Sequence, residues 1–106
     1  MNIDREPTQE EKQQILEVYR QLMQNFGTTD DALDQYNQRK ISKKKMVYAL
    51  KANTLLTTLL EKWENNDISS ATFFDTLSKA SKIETEKNID GIDDIEEIIQ
   101  KLQETQ

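Results

Sequence analysis

The stretch from Ser42 to Trp63 constrains the fold more than any other part of the chain. Its apolar residues recur every three or four positions, so at about 100° per residue most of them fall within an arc of roughly 140°. The residues in this arc are Tyr48, Ala49, Ala52, Leu55, Leu56, Leu59, Leu60 and Trp63. Such a wide arc is typical of a helix that packs against two neighbours. We therefore predict a central helix that is capped by Ser42 and ends before the turn-favouring residues 65–67.

The scarcity of glycine and proline argues for helices throughout. The chain has 106 residues with two glycines and one proline, too few for the many turns of a β-protein. We predict an all-α fold, an antiparallel helical bundle of three to four main helices plus a short connector helix. Residues 1–106 are expected to form a single domain, with an irregular start at 1–7 and a charged linker at 84–92 before a C-terminal helix.

Polar residues mark the starts of the other helices. The predicted N-caps are Thr8, Thr28 or Thr29, Ser69 and Asp93. Thr8 and Asp93 are each followed three residues later by a glutamate, the pattern of a capping box. Gly27 is expected to end the first helix because glycine adopts the left-handed conformation readily. The helix that begins after Ser69 is expected to end near Lys82.

Each of these helices has apolar residues that we expect to face the core. They are Ile15, Val18, Tyr19, Leu22, Met23 and Phe26 in the first helix, Leu33 and Tyr36 in the connector, Phe73, Phe74, Leu77 and Ala80 in the helix after Ser69, and Ile95, Ile98, Ile99 and Leu102 in the last.

Positive charge is concentrated where the central helix begins. Arg39, Lys40, Lys43, Lys44, Lys45 and Lys51 have no acidic residue between them. Lysines in a first turn oppose the helix dipole, so local stability does not explain them. Met46, Val47 and Leu50 lie outside the core-facing arc beside these charges. The predicted partner-binding residues are Arg39, Lys40, Lys43, Lys44, Met46, Val47, Leu50 and Lys51.

This basic stretch has more than one interpretation. It is either a solvated face, on which lysine stems cover the apolar residues, or a contact surface for an acidic partner. In a third arrangement the acidic residues of 84–106 fold back over it. Because the whole chain carries a net charge of −6, any nucleic-acid contact would be local to residues 39–51.

The composition excludes most kinds of enzyme site. There is no histidine and no cysteine, which removes Ser-His and Cys-His pairs and ordinary zinc sites. Two glycines are too few for a phosphate-binding loop or a dinucleotide fingerprint. We therefore predict a protein that is not an enzyme and that has no cofactor and no metal site.

Carboxylates remain as candidate metal ligands in two patterns. The first resembles the paired carboxylates with which helical nucleotide pyrophosphatases hold Mg²⁺, with Glu61 and Glu64 on one helix and Asp94 and Glu97 on another. In a chain with 20 acidic residues such spacings arise readily by chance.

The second pattern, in residues 86–97, resembles the calcium loop of an EF-hand. Its Asn88, Asp90 and Gly91 match loop positions, but the first ligand is Glu86 rather than aspartate. Asp93 also stands where an EF-hand loop has an apolar residue. We interpret Gly91 as a linker turn and Asp93 as a helix cap.

The sequence also suggests a cellular location. Its polar start lacks the apolar core of a signal peptide, and no apolar run approaches the roughly 20 residues that span a bilayer. The lack of cysteine is compatible with a reducing compartment. We expect a soluble, cytoplasmic protein.

These observations favour a non-enzymatic protein that binds another macromolecule, as an adaptor, inhibitor, antitoxin or immunity protein. Its size, helical format and the spacing of LLTTLLEKW before ISSATFFDTL resemble those of small bacteriocin immunity proteins. The alternative is a nucleic-acid-associated accessory protein that contacts phosphates through residues 39–51. The narrow apolar stripe of the first helix also suits a homodimer.

Overall fold

The computed structural model describes residues 8–104, with side chains described for residues 8–102. It consists of α1 (Gln9–Phe26), α2 (Thr29–Asn37), α3 (Lys43–Glu64), α4 (Ser70–Thr85), a 3₁₀ turn (Ile89–Gly91) and α5 (Ile92–Glu104). No strand is present within these residues, and the all-α prediction is confirmed. The irregular start predicted at 1–7 lies outside the described residues.

Helix α3 is the centre of the bundle, and α1 and α4 both run antiparallel to it. Near the start of α3, the Tyr48 ring packs against Phe26, the last residue of α1, and in the middle of α3 Asn53 Nδ2 donates to the Gly27 carbonyl that follows α1, at 2.7 Å. At the other end, the Trp63 ring stacks on Phe73, near the start of α4. Helices α1 and α5 each pack against both α3 and α4 but do not contact each other. They therefore lie on opposite sides of the α3–α4 pair, and α2 packs on α3.

The local capping signals correctly identify four helix starts. The side chains of Thr8, Thr28, Ser42 and Ser69 each accept a hydrogen bond from the backbone N–H three residues later. The capping box predicted at Asp93 is wrong because α5 begins one residue earlier, directly from the 3₁₀ turn. Asn88 caps that turn instead, and its side chain accepts from the Gly91 N–H at 3.2 Å.

Three helices end on a residue other than glycine in the left-handed conformation. These residues are Arg39, Asn66 and Lys87, with φ of 62°, 62° and 55°. In each case the next backbone N–H donates back across the last turn, as Lys40 N does to Gln35 O at 2.8 Å. This Schellman arrangement satisfies carbonyls that a helix end would otherwise leave unpaired.

The core is centred on Phe73, which is fully buried between three helices. The Trp63 ring of α3 stacks on it with 4.3 Å between centroids and 10° between planes. The Tyr19 ring of α1 lies 6.2 Å from it on another side. Trp63 Nε1 donates to Ser70 Oγ at 2.9 Å, so the indole is buried with its polar atom satisfied.

Several predicted core residues lie at the surface instead. Val18 is 41% exposed and Phe74 43% exposed. On α4 the inward position next to Leu77 is taken by Thr76, whose hydroxyl donates to the Thr72 carbonyl at 2.9 Å. A threonine is tolerated there because its polar group bonds within its own helix.

The connector and the linker also differ from the prediction. The short helix α2 is present, but Leu33 and Tyr36 are exposed and Ala32 is its buried residue. Helix α4 continues beyond Lys82 to Thr85, so six of the nine residues of the predicted linker at 84–92 are ordered as helix or 3₁₀ turn.

Candidate interaction groove

The predicted partner-binding residues lie at the α2–α3 junction and along the first two turns of α3. Arg39, Lys40, Lys43 and Lys44 are exposed, whereas Met46, Leu50 and Lys51 are half-buried. Val47 is 37% exposed. The apolar members of the set therefore remain accessible at or near the surface, outside the buried core.

Acidic residues fold against this basic stretch, which is one of the arrangements that the sequence left open. Lys44 Nζ lies 3.1 Å from Asp90 Oδ1 in the 3₁₀ turn. Lys51 Nζ lies 3.0 Å from Asp93 Oδ1 in the first turn of α5. Both pairs are largely exposed and screened by solvent, so each adds little to stability. Their main consequence is that part of the positive charge is neutralised within the chain.

Between the two sets of charges lies an open groove of about 360 Å³. Its floor is apolar, and its edges carry lysines from α3 and aspartates from the 3₁₀ turn and α5. The lining residues are Lys43, Lys44, Val47, Tyr48, Lys51, Ile89, Asp90, Ile92 and Asp93. We call this feature the lysine groove. It offers a small apolar surface surrounded by charges of both signs.

Half of the lysine groove lies outside the predicted partner-binding residues, namely Ile89, Asp90, Ile92 and Asp93. The predicted linker and helix cap cover these positions, although Ile89, Ile92 and Ile95 are three residues apart and extend the last apolar stripe backwards. This spacing was the available signal for a helical segment that begins before Asp93.

Gly91 allows this wall of the lysine groove to pack closely on α4. It is buried, and a Cβ atom at this position would lie 2.7 Å from Asn88 Nδ2 and 3.1 Å from Ile83 Cγ1. A larger residue would therefore displace the Asn88 side chain that caps the 3₁₀ turn. The glycine here serves close approach rather than an unusual backbone angle.

The positively charged side chains of residues 39–51 differ in their contacts. Lys45 Nζ lies 5.0 Å from the centroid of the Tyr48 ring, within the range of a cation–π contact. The hydrogen bond to Asp93, followed by the charges of Asp93 and Glu96, raises the pKa of Lys51. Among the described residues, no ion pair engages Arg39, Lys40 or Lys43.

A buried polar network lies beneath the floor of the lysine groove. Tyr48 is 1% exposed, and its hydroxyl donates to Glu84 Oε2 at 2.7 Å. Lys87 Nζ donates to the other carboxylate oxygen, Oε1, at 2.8 Å. Burial, together with the hydrogen bond and charge of Glu84, raises the pKa of Tyr48 well above its ordinary value. Both carboxylate oxygens are thus engaged within the chain, and the network fixes α4 against α3.

The two carboxylate patterns are not brought together as metal sites. The Glu61–Glu64 pair lies in the last turn of α3, and the Asp94–Glu97 pair lies in the first half of α5. Within the described residues no group of three or more acidic side chains is arranged to hold a metal ion. In the EF-hand-like segment, Asn88 caps the 3₁₀ turn and Asp90 pairs with Lys44.

Comparison with known proteins gives no family. No family model matches the chain, and no curated protein or solved structure matches it significantly. The resemblance to bacteriocin immunity proteins therefore remains one of size and helical format. None of the helices in the described part of the chain is long and apolar enough to cross a bilayer.

Proposed function

We propose that this chain is a non-enzymatic binding protein, of the adaptor, inhibitor, antitoxin or immunity type, that holds a partner protein in the lysine groove. The observation that carries the proposal is the apolar floor at Val47, Ile89 and Ile92 within a border of lysines and aspartates. The proposal places the protein in the cytoplasm, in keeping with its lack of cysteine.

The groove chemistry suggests what the partner presents. An apolar side chain that fills the floor gains about 25 cal/mol for each Å² of apolar surface removed from water. Lys43 is exposed at the edge of the groove and has no ion pair among the described residues, so it is available to a partner carboxylate. The nearby aspartates disfavour a purely acidic partner. We infer a partner segment with an apolar residue next to an acidic one.

Substitution of Val47 tests this proposal directly. Val47→Glu removes the apolar contact from the groove floor and competes with the partner for Lys43 and Lys51, each four residues away on α3; it should reduce partner retention at least about tenfold, which corresponds to about 1.4 kcal/mol. Lys43→Glu should weaken retention as well. The measurement is capture of partner protein from a nuclease-treated lysate of the native host by the immobilised variants, followed by titration with the purified partner.

The matched control is Leu33→Glu, because Leu33 is similarly exposed, at 41%, and does not line the lysine groove. It should retain the partner at the wild-type level. Equal retention of the partner protein by Val47→Glu and Leu33→Glu would contradict the proposal. Failure of the wild type to retain any protein after nuclease treatment would contradict it as well.

A nucleic-acid-associated role is the alternative, supported by the cations outside ion pairs. Arg39, Lys40, Lys43 and Lys45 are free of carboxylate partners among the described residues, while Lys44 and Lys51 are paired. Four phosphate contacts predict a slope of about −3.6 in a plot of log K against log salt for duplex DNA. Binding would then weaken about 150-fold between roughly 50 and 200 mM salt.

Fluorescence anisotropy with a labelled duplex measures this slope. A slope near about −5.4 would instead indicate six contacts, with Lys44 and Lys51 leaving their carboxylates. Absence of binding even at low salt would exclude the alternative and leave the protein-binding role.

A further inference from the structure

One face of the bundle carries few charges, although 32% of the chain is charged. On α1 the face consists of residues spaced four, three and four apart, namely Gln14, Val18, Gln21 and Asn25. On α4 the same spacing gives Phe74, Ser78, Ser81 and Thr85. This spacing places each set along one side of its helix. We call the two sets together the neutral face.

The two sides are neighbours in space. A groove of about 390 Å³ runs between α1 and α4 and is lined by the α1 set, by Leu22 and Glu17, and by Ser81. Because Ser81 faces α1, the helical spacing carries Phe74 to the same side of α4. Val18 is 41% exposed and Phe74 43% exposed, so the neutral face presents two large apolar side chains to solvent.

Glu17 lines the groove itself, and its charge and those at the borders of the face are mostly compensated within their own helices. On α1, Arg20 Nη1 lies 3.8 Å from Glu17 Oε2. On α4, Lys79 Nζ lies 3.4 Å from Asp75 Oδ2. Lys82 lies at the same border of the neutral face. The face is thus close to electrically neutral on a chain whose net charge is −6.

We propose that the neutral face binds a second copy of this chain. Two copies with a net charge of −6 repel each other over most of their surfaces. The neutral face allows the same patch on both copies to meet about a two-fold axis with few like charges opposed. It buries Val18 and Phe74, and its glutamine, asparagine and serine side chains can pair with their counterparts.

The size of the face sets the expected strength. A helix of 16 residues is about 24 Å long, and two adjacent helices present a strip roughly 20 Å wide. Each copy would then bury roughly 500 Å², or about 1,000 Å² in total, at the lower end of specific interfaces. We therefore expect a weak dimer with a dissociation constant in the micromolar range. This interface is separate from the lysine groove and does not depend on its proposed role.

Sedimentation velocity over concentrations of about 5 to 500 µM tests the proposal. The wild type should show a sedimentation coefficient that rises with concentration from monomer towards dimer. Phe74→Glu should weaken dimerisation at least about tenfold, because it places a charge where the interface would bury an apolar ring. Val18→Glu, on the other helix, should have the same effect. Unchanged helical circular dichroism would show that both variants remain folded.

Leu33→Glu is the matched control, since Leu33 is also 41% exposed but lies on α2, away from the neutral face. It should dimerise as the wild type does. A wild type that remains monomeric at the highest concentration would overturn the proposal. So would a dimer that Phe74→Glu and Val18→Glu leave intact, or one that Leu33→Glu weakens equally.

Discussion

Replacing Phe73 with alanine should lower the free energy of unfolding by about 3–5 kcal/mol, the range for removing a large aromatic side chain from a closed core. Phe73 is 0% exposed and contacts the rings of Trp63 and Tyr19, so the cavity would open where α1, α3 and α4 meet. Urea unfolding followed by circular dichroism measures the loss. A decrease below about 1 kcal/mol would show that the bundle repacks around the missing ring.

The adjacent Phe74 provides a matched control of identical chemistry. It is 43% exposed, so Phe74→Ala should change the free energy of unfolding by no more than about 0.5 kcal/mol at protein concentrations where the chain is monomeric. The difference in unfolding free energy between the two variants measures the contribution of burial, since both remove the same ring from neighbouring positions of α4. Similar losses in both would contradict the assignment of Phe73 to the core.

Tyr48→Phe should destabilise the protein by about 1.5–3 kcal/mol at neutral pH, the range for a hydrogen bond to a charged group. The substitution removes the hydroxyl that donates to Glu84 Oε2 at 2.7 Å while keeping the ring that packs against Phe26. Glu84 is 5% exposed, so its carboxylate would lose one of its two bonds in a poorly solvated position. Urea unfolding at neutral pH measures this loss.

The same pair predicts how stability depends on alkaline pH. The folded-state pKa of Tyr48 is raised above the ordinary value of 10.0, first by burial and then by the hydrogen bond and charge of Glu84. The unfolded chain therefore loses the phenol proton first, and the stability that this group provides is complete below about pH 10 and is lost above it. The loss approaches about 1.4 kcal/mol per pH unit.

The comparison of wild type with Tyr48→Phe separates this effect from other alkaline titrations. The gap in unfolding free energy between the two should shrink as the pH rises above about 10, because only the wild type has the Tyr48 hydroxyl to lose. Tyr19, whose pKa is also raised chiefly by burial, is present in both proteins and leaves a common slope. A gap that stays constant to higher pH would contradict the raised pKa.

The sequence determined where most helices begin, because capping is a local interaction. Thr8, Ser42 and Ser69 each bond to a backbone N–H three residues away, whatever the rest of the chain does. The wide apolar arc of the central helix likewise predicted that it would contact several neighbours. The all-α class follows from these signals together with the scarcity of glycine and proline.

Only the tertiary structure decided which side of each apolar stripe is covered. A stripe shows that a side chain is near the boundary of the core, but a neighbouring helix must be present to bury it. Phe73 meets Trp63 and is buried, whereas Phe74 lies about 100° around the same helix, where none of the described helices covers it. For the same reason Val18 is exposed.

The residues of the lysine groove likewise divide into those that a sequence pattern indicates and those that only the structure shows. Lys43, Val47 and the other α3 residues were identified from the charge run and the helical arc, which are properties of one segment. Asp90 and Asp93 could not be identified as site residues from such a pattern. They approach Lys44 and Lys51 only because α5 runs beside α3 in the same direction. Pairings between residues some 42 to 46 positions apart depend on how helices pack, and no local pattern in the sequence encodes that choice.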